Sequence, residues 1–542
     1  MIAGSVLVAA CGGDDDTSST GTEAPADSAA APEDEGAATS VAPEGSEAPA
    51  GSEAPADDID RDGTLTIAWQ LALNTLDPIQ NTNAQNVAYN YPTYDALIYR
   101  TPEGTIEPGL AKSYEWSEDG LTFSLELNEG ITFHDDSELT AEVVKANLDR
   151  LIAVETSPVK AAVANVESVE VTGPLTVDIK MTQPDASLPF QLADRAGMMV
   201  SGEALAGGVD LSTTAVGTGP YKLVEFVASD RITYERFDGY WGDPNKASAK
   251  RLELLGIPDG QARLNGVLAG DFDAAYITPS QASQAEDAGL QLEANSSLWY
   301  IQVYINRTKV PALESLEVRQ AMVHALDRAA ICEVIYFDYC EVTSQPFPAD
   351  HWAGSPDMPD AVYEYDPEKA RALLEEAGFG DGFEFELMIP AASDPYPQLA
   401  ELMQAQWGEV GITAKINPVD ISQLATKYMA EGVSDTLLGG GGQVAEPVML
   451  FSGSFTSTAF SNPGKTTAPG MDEVVGRMSA ALAEEDRAAV VREGTQLIVD
   501  DVQNIILYRP QILYAVRDNV RNWQQNFVAN YPIALGVGVT GD

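Results

Sequence analysis

Strand and helix patterns alternate along the chain from residue 64 to the C-terminus, and this alternation constrains the fold more than any other feature. Residues 121–127 place leucine or phenylalanine at every second position, the period of a half-buried strand. Thr140 precedes apolar residues at helical spacing and can cap a helix there. Interleaved strands and helices of this kind predict a mixed α/β protein.

Further elements follow from the same patterns and from residues that begin or end helices. Strands are predicted at Thr64–Trp69, at 383–389 and, as the partner of 121–127, from residue 131 to 133. Helices are predicted at 318–329, from Asp366-Pro367 to a stop at Gly378, and from Leu399 to a stop at Gly411.

Charge limits the partners of the chain. It has 30 Lys and Arg residues against 83 Asp and Glu residues, a net charge of −53. A surface this acidic repels nucleic acid, and no nucleic-acid partner is therefore expected. The 542 residues are enough for two to four domains, and no run of about eighteen apolar residues predicts a spanning helix.

The N-terminus predicts a membrane anchor. A short apolar run ends in Leu7-Val-Ala-Ala-Cys11, which resembles the lipobox of bacterial lipoproteins, in which the cysteine is lipidated. The alternative is a frayed terminus with an incidental buried cysteine. Residues 12–60 contain no Lys or Arg and fourteen acidic residues among Gly, Ser, Thr, Ala and Pro. They predict a disordered acidic tether after a signal at 1–11.

Residues 110–150 carry the most specific motifs. They read LAKSYEWSEDGLTFSLELNEGITFHDDSELTAEVVKANLDR and resemble the signature region of the extracellular solute-binding proteins of family 5, which serve dipeptide, oligopeptide and nickel importers. Further matches follow in the family's order: Thr75-Leu-Asp-Pro78, Gly217-Thr-Gly-Pro-Tyr221, Asp238-Gly-Tyr-Trp241, Val318-Arg-Gln-Ala321 and Tyr365-Asp-Pro-Glu-Lys-Ala370.

The resemblance implies a two-lobed α/β fold of the periplasmic-binding-protein type II, with an extra subdomain in the N-terminal lobe. Lobe I is expected at 61–92, 211–308 and 500–542. The extra subdomain is expected at 93–210 and lobe II at 309–499.

The resemblance also implies a function in transport. We expect an extracytoplasmic, lipid-anchored, monomeric substrate-binding component of an ABC importer, which closes on a peptide or similar small solute and hands it to permease subunits. The alternatives are a carrier of a nickel chelate or sugar, a signalling receptor, and a secreted hydrolase. No enzyme activity and no cofactor are expected, because no nucleophile motif occurs and the chain has three histidines.

The ligand-binding residues are expected around the cleft between the lobes. In family members the segment after Thr75-Leu-Asp-Pro78 lines this cleft; the alternative is a polar surface loop. Trp299 and Tyr300 could pack against ligand or belong to the core. The residues of the first segment are Gln80, Asn81, Thr82 and Asn83.

Peptide binders of the family also carry a loop with a tryptophan and an aspartate near an Asp-Pro pair. Here residues 438–447 read LGGGGQVAEP, so a glycine replaces the tryptophan and Glu446 is the only carboxylate. Gly440, Gly441 and Gln443 are expected at the ligand. Either Glu446 anchors an amine, or the ligand has none.

The cysteines and the histidines give two further expectations. Cys332 and Cys340 are expected to form a local disulfide in an oxidising compartment; the alternative is two buried thiols. His134 is expected to bond to backbone in a turn, and no metal site is expected, because His324 and His351 are far away in sequence.

Overall fold

The structure of the chain is a computed structural model, and it describes residues 58–541 apart from 71, 72, 74, 82, 83, 392–394, 445, 525, 529 and 530. The side chains of 84–86 and 422 are not described either. Cys11, residues 12–57 of the predicted tether, Thr82 and Asn83 therefore lie outside the described residues.

The strands are short, and most of them have one or both faces buried. In chain order they are β1 (Thr64–Trp69), β2 (Ile98–Arg100), β3 (Ile106–Pro108), β4 (Ala111–Trp116), β5 (Thr122–Leu127), β6 (Val166–Gly173), β7 (Thr176–Met181), β8 (Tyr221–Val227), β9 (Arg231–Arg236), β10 (Arg251–Gly256), β11 (Ala274–Ile277), β12 (Gln291–Ser296), β13 (Tyr300–Ile305), β14 (Cys340–Val342), β15 (Phe383–Pro390), β16 (Ile412–Val419), β17 (Thr436–Gly441), β18 (Ile505–Val516), β19 (Val520–Arg521) and β20 (Gly538–Val539).

Helices fill the connections between these strands. They are α1 (Ala141–Ala153), α2 (Leu188–Gln191), α3 (Gly202–Gly207), α4 (Gly260–Ala269), α5 (Ala282–Asp287), α6 (Pro311–Glu314), α7 (Leu316–His324), α8 (Arg328–Tyr336), α9 (Pro367–Glu376), α10 (Tyr396–Glu409), α11 (Ile421–Leu424), α12 (Pro447–Ser454), α13 (Met471–Ala480) and α14 (Glu484–Asp500).

Residues that cap helices set several of these ends. The Thr140 side chain accepts a hydrogen bond from the Val143 N–H at the start of α1, and Asp366 does the same with Lys369 at the start of α9. Gly378 has φ +82°, a conformation that glycine adopts at little cost after a helix. These three local predictions are confirmed, as is the strand at Thr64–Trp69.

One twelve-stranded sheet runs through the molecule and divides into two halves. In the first half, which we call the lobe I half, β1 is parallel to β10 and β11, and β8, β9 and β12 complete the half. In the second, the lobe II half, β15 is parallel to β16 and β17, and β13 and β14 complete it. Each half packs its own apolar cluster, around Trp69 in lobe I and around Trp407 in lobe II.

The long strand β18 belongs to both halves. Its first part, up to Pro510, pairs with β13 and β14, and its second part, from Gln511, pairs with β11 and β12. The chain therefore passes between the halves at 297–299, between β12 and β13, and again near 510–511. Both points differ from the predicted limits at 308 and 500: β13 and the first part of β18 belong to the lobe II half.

A separate four-stranded antiparallel sheet, in the order β4-β5-β7-β6, lies within the predicted extra subdomain. Helix α1 packs on it through Val144 and Leu148 around Phe123. The predicted partner strand at 131–133 is wrong, because β5 pairs with β4 and β7 instead. In that segment Thr132 makes only an isolated bridge with Glu138.

The motif residues His134 and Gly219 join the extra subdomain to lobe I. The His134 Nε2–H donates to the Gly219 carbonyl at 2.8 Å, which confirms the predicted bond of this histidine to backbone. A β-carbon at Gly217 would lie 2.1 Å from the Thr93 carbonyl oxygen, so only glycine fits there. Burial lowers the pKa of His134 to about 4, so its ring is neutral at pH 7.

The helix predicted at 318–329 is two helices. Asp327 stands between α7 and α8, and its side chain accepts a hydrogen bond from the Ala330 N–H at 3.0 Å. This cap starts a new helix where the apolar pattern alone continues the first one. The break lets the buried Arg328 side chain reach the Thr343 carbonyl at 3.0 Å.

Cys332 on α8 and Cys340 at the start of β14 are joined as a disulfide, with Cα atoms 6.0 Å apart. Replacing both by serine is expected to lower the free energy of unfolding by about 2–3 kcal/mol, because the bond limits the unfolded chain. Denaturant unfolding with and without a reductant measures this. Reduction should weaken the natural protein and leave the double variant unchanged, whereas equal stability of the oxidised and reduced natural protein would contradict the expectation.

Candidate ligand-binding cleft

A cavity of about 690 Å³ opens where the carboxyl ends of parallel strands from both halves meet. Gln70 follows β1, and Thr278 follows β11 in lobe I. Ile421 follows β16, and Gly440 and Gly441 end β17 in lobe II. Open α/β sheets bind ligands at the carboxyl ends of their strands, so this position is the expected one for a ligand site.

The two passages of chain between the halves form the floor of this cavity. Trp299 lines it from the first passage, and Pro510 and Gln511 line it from the second. A ligand in the cavity would therefore contact both halves and both connections at once.

The glycine run 440–442 lies directly against the first passage. A β-carbon at Gly440 would lie 2.3 Å from the Trp299 Nε1 atom, and one at Gly442 would lie 1.8 Å from the Leu298 carbonyl oxygen. Gly442 and Gln443 have φ values of +79° and +63°. The indole of Trp299 therefore occupies space that a side chain at 440 would need. The glycine run 440–442 allows this close approach because it has no side chains.

Aromatic, amide and hydroxyl groups dominate the lining. None of the described residues that line this cavity carries a charged side chain. The lining residues with rings or polar side chains are Gln70, Tyr276, Thr278, Ser280, Trp299, Tyr336, Phe337, Tyr396, Gln398, Gln443 and Gln511. A site of this kind can exchange hydrogen bonds in both directions without a net charge.

The structure brings four of the predicted site residues together here: Trp299, Gly440, Gly441 and Gln443. Tyr300, beside them in sequence, is fully buried in the core of lobe II instead. Its hydroxyl is buried without a hydrogen-bond partner.

The described residues after the Thr75-Leu-Asp-Pro78 motif lie elsewhere. Gln80 lines a different depression beside α1 and α3, where Asp77 and Arg150 form an ion pair. Asn81 is 2% exposed, and its carbonyl accepts a hydrogen bond from Arg195 Nη1 at 2.6 Å. Their placement differs from the expectation that they line the cleft.

Glu446 also lies outside the cavity. Its carboxylate is fully buried, forms an ion pair with Arg487 at 3.1 Å and caps α12 through the Val448 N–H at 3.2 Å. Burial raises the pKa of Glu446 to about 7, against the opposing charge of Arg487. Glu446 thus lies away from the position expected for an amine anchor and has a structural role, whereas Gln443, also expected at the ligand, lines the cavity.

Several lining residues were missed by the sequence analysis, chief among them Gln70, Tyr276, Tyr396 and Gln511. Gln70, Tyr276 and Tyr396 lie at or just beyond the end of a strand, or at the start of a helix that follows one, whereas Gln511 lies within β18, where that strand passes from one half to the other. That signal exists in the sequence, but it identifies a site only once the order and direction of the strands are known.

Neither a metal site nor a membrane-spanning helix is found among the described residues. No group of three or more His, Cys, Asp or Glu side chains there is placed to hold a metal ion. In the same part of the chain, every helix is too short or too polar to cross a bilayer.

Comparison with known proteins assigns the family. The profile described as "Bacterial extracellular solute-binding proteins, family 5 Middle" matches residues 105–462, more than half of the chain. The glutathione-binding protein GsiB of Salmonella paratyphi A (strain ATCC 9150 / SARB42) is 30% identical over 368 residues, which cover 67% of this chain and 70% of GsiB. The dipeptide-binding protein of Escherichia coli (strain K12) is 27% identical over 470 residues, covering 80% and 87%.

A solved structure agrees with this at the level of the fold. NikA from Brucella suis, in complex with Fe(III)-EDTA, superposes with a TM-score of 0.79 at 21% identity, covering 88% of this chain and 100% of that one. The fold is the two-lobed α/β fold of the family's periplasmic binding proteins. The chain therefore belongs to family 5 of the bacterial extracellular solute-binding proteins, the substrate-binding components of ABC importers.

Proposed function

We propose that this chain is an extracytoplasmic, lipid-anchored binding protein that captures a peptide-like or other small solute in the cavity described above and delivers it to the permease of an ABC importer. The halves close on the ligand, and no bond in the ligand is made or broken. A carrier of a sugar or a nickel chelate is the alternative within the same class.

The position of the cavity carries this proposal. It lies at the carboxyl ends of strands from both halves, and the chain passes between those halves at 297–299 and near 510–511. Two adjacent connections allow rotation of one half against the other with little change inside either. Ligand contacts that form only when the halves approach would shift the population towards the closed form.

Contacts away from the passages support such a closed form. The Ala186 N–H donates to the Ser479 carbonyl at 3.1 Å, which joins the extra subdomain to lobe II. Nearby, the Arg487 guanidinium lies 6.0 Å from the centre of the Phe190 ring. Opening the cleft would break these contacts, so they contribute to the balance between the two forms.

The histidines favour binding over catalysis. His134 bonds to the Gly219 carbonyl, His324 bonds to the Glu364 carbonyl at 2.7 Å, and His351 Nδ1 accepts from the Ala353 N–H at 3.1 Å. The chain has three histidines, and none of them lines the cavity. Ser280 and Thr278 in the lining thus lack the usual base that would activate a nucleophile.

The relatives' names support a peptide-like ligand. One relative is named for binding glutathione and another for binding dipeptides. The cavity of about 690 Å³ falls within the ordinary range for small-molecule sites.

A thermal-shift screen tests the proposal. The panel consists of di- to hexapeptides, glutathione, oligosaccharides and nickel chelates. A ligand at one hundred times its dissociation constant should stabilise the protein by about 2.7 kcal/mol. No stabilisation by any solute, or conversion of a bound solute into a product, would contradict the proposal.

Blocking the cavity should reduce that effect. Gly440→Leu is expected to weaken ligand binding at least about tenfold, because its side chain would drive the Trp299 indole into the space for ligand. Calorimetric titration measures the affinity. Gly476→Leu, at an exposed helical glycine with no atom near its β-carbon position, is the matched control and should bind normally. Equal affinity in both variants would place the ligand elsewhere.

The anchor has its own test. Leu7-Val-Ala-Ala-Cys11 supports lipidation of Cys11. In cells fed radiolabelled palmitate, the natural protein should carry label and sediment with membranes, and Cys11→Ser should do neither. Membrane attachment of Cys11→Ser would contradict a lipid anchor at this residue.

A further inference from the structure

We propose that the cavity selects an uncharged ligand that presents hydroxyl or amide groups, and that it discriminates against peptides with free termini and against charged chelates. This inference rests on the proposed function and adds the chemical class of the ligand. The two sources of such chemistry are a short oligosaccharide and a peptide without free termini, for example a cyclic or end-blocked one.

The first argument is the absence of a counter-charge. No described residue in the lining is charged. A dipeptide with free termini brings one ammonium and one carboxylate group, and each would lose its water without an ionic partner. An uncharged ligand of the same size avoids this cost.

The carboxylates near the cavity do not change this picture. Glu446 is fully buried outside it and is committed to Arg487. Asp338 and Asp420 neighbour lining residues in the chain, but they are exposed and do not belong to the lining. Charges at exposed positions of this kind are screened by water.

The second argument is the chemistry that the lining does supply. Gln70, Gln398, Gln443 and Gln511 each present an amide, which donates and accepts hydrogen bonds. Such groups pair with hydroxyls or with peptide groups, which also both donate and accept hydrogen bonds. The rings of Tyr276, Trp299, Tyr396 and Phe337 can cover the apolar faces of such a ligand.

The third argument is the glycine edge. The backbone of Gly441 lines the cavity at the end of β17, whereas a side chain there would meet the buried Gln302 and Tyr300 instead. The carbonyl of Gly440 already accepts a hydrogen bond from the Tyr304 hydroxyl at 2.7 Å, which fixes this edge from behind. Trp299 covers Gly440 with its indole. This chain therefore presents backbone, an indole and the Gln443 amide where its loop could have presented a carboxylate.

Calorimetric titration of the full chain with matched solutes tests the inference. One dipeptide is used with free termini and with N-acetyl and C-amide blocks, beside α- and β-linked disaccharides and the anionic chelate iron(III)–EDTA. At least one uncharged solute should bind, at least about tenfold more tightly than the free dipeptide and the chelate. The tighter of the disaccharide and blocked-dipeptide arms identifies the source.

The outcomes separate the two proposals. If the free dipeptide or the chelate binds as tightly as every uncharged solute, the inference is overturned and the proposed function stands. If no solute of any class binds, both fail. Asp394 lies outside the described residues and precedes Pro395 of the lining in the chain. Tight binding of the free dipeptide that is lost in Asp394→Asn would also overturn the inference.

A charge introduced into the cavity should invert the preference. Gln443→Glu keeps the size of the side chain and adds a carboxylate, so affinity for the uncharged ligand should fall and affinity for the free-amine dipeptide should rise, each about tenfold. Gln261→Glu, exposed on α4, is the matched control and should change neither affinity. An unchanged ratio of the two affinities in Gln443→Glu would contradict selection by charge.

Discussion

Replacing Arg487 by methionine is expected to lower the free energy of unfolding by about 3–5 kcal/mol, because it leaves the buried Glu446 carboxylate without a counter-charge. The two side chains are 3% and 0% exposed and form an ion pair at 3.1 Å. Arg487 also donates to the Ala481 carbonyl at 2.8 Å, which a methionine cannot do. Denaturant unfolding of the variant measures the loss.

The double variant Arg487→Met/Glu446→Gln separates charge from packing. Removing the second charge should restore a large part of the stability, because no buried ion then remains. A double variant as unstable as the single one would assign the loss to packing against Trp352, whose ring centre lies 5.3 Å from the guanidinium.

The same pair predicts a dependence on pH. Burial raises the pKa of Glu446 from about 4.5 to about 7, so the folded protein holds this proton more tightly than the unfolded chain does. The stability that this proton contributes is complete below about pH 4.5 and is lost as the pH rises through about 7. Without Arg487 the carboxyl resists ionisation still more, so Arg487→Met should lose more stability at pH 8 than at pH 5. A loss independent of pH would contradict this.

Gly442→Ala is the second substitution with a large expected effect, and it should lower the free energy of unfolding by about 2–4 kcal/mol. Its β-carbon would lie 1.8 Å from the Leu298 carbonyl oxygen, and its φ of +79° disfavours any side chain. Because this contact joins the end of β17 to the passage at 297–299, the variant should also weaken ligand binding. Thermal unfolding and titration of the same preparation measure the two effects.

Gly476→Ala is the control for this prediction. This glycine lies within α13 with no atom close to its β-carbon position, so alanine should be neutral or stabilising by up to about 1 kcal/mol. Equal free energies of unfolding for Gly442→Ala and Gly476→Ala would show that the glycine run 440–442 makes no close contact with the chain at 297–299.

The sequence predicted the elements whose signals are local. Thr140 and Asp366 cap helices where expected, and β1 occupies the expected six residues. The prediction of one continuous helix at 318–329 was wrong, because Asp327 caps a new helix although the apolar pattern continues through this position. The exact lobe limits could not be read from the sequence, because β13 and β18 are buried almost throughout and their patterns are the same in either half.

The site could be predicted only in part, for a related reason. The glycine loop was expected at the ligand from the family resemblance, and Trp299 was expected either there or in the core; the structure brings them together. Gln70 and Gln511 are far apart in sequence and meet only because of the strand order. Gln443 and Glu446 were both expected at the ligand, and burial of Glu446 beside Arg487 leaves Gln443 as the one of the two that lines the cavity.

The account depends on closure, in which the two halves approach each other around a ligand held between them. Spin labels at Gln261 on α4 and Glu401 on α10, both exposed, in a Cys11→Ser background, report the distance between the halves by pulsed electron resonance. Addition of the solute that stabilises the protein most should shorten and narrow the distance distribution, and Gly440→Leu should not respond. The same distribution in the natural sequence with and without bound solute would contradict the account.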